Sequence, residues 1–139
     1  MFDLLGFVAP IILQGKILLQ RSWKGGIWDT SCSMLSVACQ KWQESVEDKP
    51  VIRIPRWIGC CSDEGQELHL FSDASEKAVG CCIYVTSRSS QKLVFAKSRV
   101  APLKVQTLAR LELQAAYLGC RSLKFVCEEM RIEPKAIFA

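Results

Sequence analysis

Three short apolar runs, at residues 68–73, 78–86 and 92–97, stand close together in the middle of the chain. Only polar links around Ser75-Glu76-Lys77 and from Ser87 to Gln91 join them. Links this short cannot carry a crossover connection, so the three strands must be antiparallel neighbours. A change of period follows. From about Thr107 to Arg131 the apolar residues Leu108, Leu111, Ala115, Leu118, Val126 and Met130 keep to one side of a helix, with Thr107 placed to cap it and Pro134 to close it. The last residues, Lys135-Ala136-Ile137-Phe138-Ala139, read as the beginning of another strand, and a strand of three or four residues is expected of a chain that stops inside its fold. The fold class is therefore α/β.

Before the first strand the pattern is helical. Pro10 opens a run through Ile11, Ile12, Leu13, Ile17, Leu18, Leu19 and Trp23 that ends at Gly25-Gly26, which places proline in the first turn of a helix. A second helix is expected over about 33–46, where Met34/Leu35, Ala38, Trp42 and Val46 recur every four residues and Thr30 or Ser31 can cap. The two helices are expected to pack as a hairpin. Glu47-Asp48-Lys49-Pro50 breaks the pattern, and Val51-Ile52-Arg53-Ile54-Pro55 alternates like an extended connector. The chain thus divides into a helical segment 1–50, a connector 51–67 and an α/β part 68–139.

The chain has 139 residues, half of them hydrophobic, which is enough to bury a core and excludes a disordered segment. Its longest apolar stretch, 11–19, is interrupted by Gln14, Gly15 and Lys16 and falls short of the ~18 residues of a membrane span. No basic stretch leads into an apolar core and cleavage site at the start, so an intracellular location, cytoplasmic or nuclear, is expected rather than secretion. Four of the eight cysteines form the adjacent pairs Cys60-Cys61 and Cys81-Cys82. Neighbours on a strand point to opposite faces and cannot grip one metal, so the cysteines read as reduced apolar filler, with a metal or redox role as the alternative. The net charge is +4, and Lys92, Lys97, Arg99, Lys104 and Arg110 cluster between the strands and the long helix. A solvated face and a polyanion partner explain that cluster equally well.

Two carboxylates stand out. Asp73 ends the first strand, where it either caps the amides of Ala74 and Ser75 or presents a ligand at the rim of the sheet. Glu112 falls four residues after Leu108 and three before Ala115, within the sector that the helix sends towards the sheet. A charge in that sector needs a partner, because desolvating it costs several kcal/mol. Arg110 or Lys104 can supply one, or Glu112 can sit at the edge of the stripe and stay solvated. The other solution is a hard divalent cation shared by Asp73 and Glu112.

The runs "LHLFSDASEKAVGCCIYV", "KLVFAKSRVAPLK" and "TLARLELQAAYL" together resemble the RNase H-like region of BEL/Pao-type retrotransposon Pol polyproteins. The opening "FDLLGFVAPIILQGKILLQRSWKGGIWD" is similar to the segment that follows the reverse transcriptase palm in the same polyproteins. The resemblance implies a ribonuclease H fold: a three-stranded antiparallel meander, a helix, and a strand parallel to the first. It maps the catalytic, metal-holding carboxylates to Asp73 and Glu112 and implies Mg²⁺, or Mn²⁺, as cofactor for cutting the RNA strand of an RNA·DNA hybrid. Lys97, Arg99, Lys104 and Arg110 would then contact nucleic acid, and the remainder of the Pol polyprotein would be a partner. Two departures stand against the pattern. Ala109 occupies a position where the family often has proline, and the next aspartate of the set is expected just past Phe138-Ala139, which leaves half a site and a chain inactive by itself.

Two other functions compete. The chain can be an interaction module for nucleic acid or protein, using its basic loop and Trp23, Trp28 and Trp57. A peptidase label is also attached to this part of Pao polyproteins, but an aspartic peptidase needs Asp-Thr/Ser-Gly, and this chain has Asp73-Ala74-Ser75. A long helix carrying Glu112 also has no place in that all-β fold.

Overall fold

The structure, a computed structural model, describes residues 3, 5–26, 33–47, 53, 65–87, 90–131 and 133–139. Two helices come first, α1 (Ala9–Lys24) and α2 (Ser33–Glu47). A four-stranded sheet and one long helix follow: β1 (Glu67–Ala74), β2 (Ala78–Ser87), β3 (Ser90–Val100), α3 (Leu108–Met130) and β4 (Ala136–Phe138). The strand order is β3-β2-β1-β4; β1, β2 and β3 form the expected antiparallel meander, and β4 lies parallel to β1. Both ends of α3 follow from this. It starts beside the edge where β1 and β3 end and returns to the edge where β1 begins, so it runs antiparallel to β1.

One face of the sheet makes the core. Leu68 and Leu70 of β1 alternate with outward residues, as do Val79, Cys81, Ile83 and Val85 of β2, and all six are buried against Leu111, Ala115, Leu118 and Val126 of α3. Gly119 lets the helix approach this closely: a Cβ there would meet Leu70 Cδ1 at 3.0 Å. Thr107 is the N-cap of α3 with extended backbone but makes no side-chain capping bond, and the helix ends at Arg131 in the left-handed conformation (φ 51°). β3 is longer than its apolar run, and it slips register opposite Ile83/Tyr84.

α1 has Pro10 in its first turn, as expected, and docks on β3. Ala96 N–H donates to the Leu5 carbonyl at 2.8 Å, and Gln20 Nε2 donates to the Ala101 carbonyl at 2.6 Å. The first bond requires Gly6, whose φ is +79° and whose absent Cβ would collide with the Ala96 carbonyl. α2 packs on α1 through Trp42, whose indole Nε1 donates to the Ile11 carbonyl at 2.9 Å. Neither helix contains a buried residue: Leu19 is 54% and Trp23 57% exposed. Thr30, Ser31, Trp28, Trp57, Cys60-Cys61 and most of the connector 51–67 lie outside the described residues.

Candidate active site

β4 pairs only with Glu67, Leu68 and His69, so the outer edge of β1 from Leu70 to Ala74 is uncovered among the described strands. Asp73 stands near the end of that open edge. It is exposed, and its Oδ1 accepts the Ala74 N–H at 2.8 Å, the local cap that its position before small residues permits. Alternation puts Asp73 with His69 and Phe71 on the face away from α3, whereas Ala74 shares the core face with Leu70.

Glu112 corrects one expectation. It is not buried against the sheet but sits exposed at the edge of the sector; the buried residues of α3 are Leu111, Ala115, Leu118, Gly119, Ser122 and Val126. The reason is positional. Seven residues separate Glu112 from Gly119, two turns that bring the pair to nearly the same azimuth, but Gly119 is over Leu70 while Glu112 is two turns nearer the end of the sheet.

That offset sets its height. Two turns of helix advance about 10 Å, and the three residues from Leu70 to Asp73 also advance about 10 Å. Because α3 and β1 are antiparallel, these two rises give the backbone positions of Glu112 and Asp73 a similar height along the strand. Asp73 lies on the sheet face away from α3, and Glu112 is exposed on α3. Among the described residues neither has an ion-pair partner, so neither Arg110 nor Lys104 neutralises Glu112. Hard oxygen donors of this kind suit Mg²⁺ or Mn²⁺, which are commonly held by one or two carboxylates together with water and substrate phosphate. No group of three or more His, Cys, Asp or Glu side chains converges among the described residues.

The basic residues do not gather around this edge. Lys97 and Arg99 pair in register with Cys81 and Val79 and border a groove between α1 and α3 over β3, on the other flank of α3 from Glu112. Lys104, before α3, and Arg110, in its first turn, are exposed. Sequence reasoning missed the helical side of that groove, where Tyr117, Arg121 and Phe125 recur at four-residue spacing. The spacing itself was the available signal.

The described cysteines, Cys39, Cys81, Cys82, Cys120 and Cys127, are all free thiols. Cys81 is buried, with Sγ 3.7 Å from Ser122 Oγ. Burial pushes its thiol up, opposed in part by the Ser122 hydrogen bond and by the positive charges of Lys97 and Arg99. Burial raises Cys82 and Cys127 as well.

A mixed sheet in the order β3-β2-β1-β4, one long helix packed across it and a carboxylate at the end of the first strand define an α/β protein with a ribonuclease H-like arrangement. The chain matches the family described as Pao retrotransposon-like RNaseH-like domain over residues 1–139 and belongs to it. A search of curated proteins finds no match. No helix among the described residues is long and apolar enough to cross a membrane.

Proposed function

We propose that this chain is the part of a Pao-type Pol polyprotein that binds RNA·DNA hybrid and, through Asp73 and Glu112, contributes to hydrolysis of its RNA strand. What supports this is membership of an RNase H-like family together with an uncovered strand edge that ends at Asp73, at a height along β1 that the rise of α3 gives Glu112 as well. A divalent cation bound there supplies Lewis-acid activation of water and stabilisation of the departing oxygen. The side chains do the rest. Asp73, tethered by its bond to the Ala74 amide, holds one carboxylate at a fixed height on the strand, and Glu112 presents the second from a helix anchored by Leu111. The open edge between them leaves room for a phosphodiester. The bland alternative for Asp73, a turn cap alone, engages only one of its two oxygens.

Two carboxylates are a thin ligand set for paired ions, so the 139-residue chain is expected to hold metal weakly and to bind hybrid more readily than it cuts it. The direct test is Mn²⁺ titration followed by amide resonances. Broadening should centre on Asp73–Ser75 and Glu112 together, and should be lost in Asp73→Asn and in Glu112→Gln. Broadening at only one of the two positions would show that they share no ion. Any Mg²⁺- or Mn²⁺-dependent RNA cleavage that survives Asp73→Asn would overturn the assignment of that carboxylate. Salt-sensitive hybrid binding with no metal effect at either residue would identify a binding module without catalysis.

A further inference from the structure

α3 has two exposed flanks, and only one of them carries Glu112. On the other, Tyr117, Arg121 and Phe125 form a single stripe, with Tyr117 63% and Phe125 51% exposed. The Arg121 guanidinium lies 5.8 Å from the Tyr117 ring centroid. Facing the stripe, β3 contributes Lys97 and Arg99 and α1 contributes Lys16, around a groove of about 950 Å³. A second cleft beside α1 is lined by Arg21, Lys24 and Lys77, with Glu76 among them.

The charges are not spent on one another. Among the described residues, Lys16, Lys97, Arg99 and Arg121 have no ion-pair partner. Two carboxylates, Asp3 and Glu129, also line the groove, and that of Asp3 accepts the Val8 N–H at 2.9 Å. A salt-bridged surface would have paired these cations, and a buried core would have covered the rings. Cations beside partly exposed rings, Tyr117 next to Arg121 and Phe125 tilted against Phe95 at 6.1 Å, instead match what an unpaired strand presents, a phosphodiester backbone with free base faces. A duplex keeps its bases stacked inside and offers nothing to the rings.

We propose that the groove between α1 and α3 binds single-stranded nucleic acid, with phosphates on Lys16, Lys97, Arg99 and Arg121 and bases stacked on Tyr117 and Phe125. This rests on the nucleic-acid reading above and deepens it. The single strand has its own surface, on the opposite flank of α3 from Asp73 and Glu112.

The test is fluorescence anisotropy with the full chain, using labelled oligo(U) or oligo(dT) and, in parallel, a blunt RNA·DNA hybrid. Tyr117→Leu with Phe125→Leu keeps apolar bulk but removes both rings, and should weaken single-strand binding about fivefold to a hundredfold. Hybrid affinity should change less than about twofold in the same variant, since no base of a duplex reaches the rings. Tyr117→Phe should retain single-strand binding. Arg121→Gln should lower the slope of log affinity against log salt by about 0.7, one phosphate contact on a single strand. Lys41→Glu, an equal or larger charge change at an exposed position of α2 outside the groove, should leave both affinities unchanged. Circular dichroism melts identify any variant that has lost its fold, and Arg121→Gln, at an exposed position, serves where the ring variants unfold. Single-strand affinity and salt slope that stay at wild-type values in the folded variants would overturn the proposal. Single-strand binding through these residues with no Mn²⁺ broadening at Asp73 or Glu112 would leave it standing and remove the catalytic reading; shared Mn²⁺ broadening at both carboxylates without single-strand binding would do the reverse.

Discussion

At the scale of single residues, burial rather than a reactive partner governs the chemistry of the cysteines. Cys81 sits among the core residues of β2, and desolvation raises its thiol in spite of Lys97, Arg99 and the Ser122 hydroxyl. The unfolded chain therefore releases this proton at lower pH than the folded one. Stability from Cys81 is complete below the ordinary thiol range, about 8.5, and is lost as pH rises from there through the raised folded value. Urea unfolding of the protein should thus weaken between neutral pH and pH ~10, and Cys81→Ala should flatten part of that decline. An identical pH slope in Cys81→Ala would mean that other groups account for it. Asp73 and Glu112 behave differently because both are exposed. Asp73→Asn and Glu112→Gln should change stability by under about 0.5 kcal/mol, so any loss of metal or hybrid binding reads on function and not on folding.

At the scale of elements, α3 is held on the sheet by a narrow contact. Leu111 is 2% exposed, and Gly119 admits Leu70 where any larger residue must push it aside. Leu111→Ala should cost about 2–5 kcal/mol through the cavity it leaves. Gly119→Val should cost about 1–3 kcal/mol through overpacking against Leu70, measured by thermal or urea unfolding. A second element contact depends on backbone geometry. Gly6→Ala meets both a left-handed φ and the Ala96 carbonyl, so it should break the Leu5–Ala96 bond and free the start of α1 from β3. Faster hydrogen exchange at the Ala96 amide, with the β1–β2 ladder still protected, is the expected result.

At the scale of the whole molecule, the sheet and α3 own the core, and α1 and α2 lean on it without a buried residue of their own. Leu19, Trp23, Met34 and Val37 are left exposed on these two helices, apolar surface open to a partner. The protein should bind a hydrophobic dye and self-associate as its concentration rises, as followed by light scattering. A dye-silent monomer across that range would show that the exposed residues form no continuous patch.

Local sequence patterns were enough to place the elements and their order along the chain. Period-two alternation marked β1 and β2, four-residue spacing marked α2 and α3, Pro10 and Gly25-Gly26 bracketed α1, and short polar links left the meander no other pairing. These signals are local, so one chain segment carries each of them entirely. Tertiary structure decided the rest, because it depends on which segments meet. The helical wheel put Glu112 within the sector facing the sheet, but the docking of α3, with Gly119 over Leu70, leaves it exposed. Likewise Lys97 and Arg99 were visible as charges near a helix, yet they became one side of a groove only through the docking of α1 on β3. An amphipathic helix declares that it has a buried face; which surface covers that face is settled by long-range packing, and so is the shape of whatever lies between.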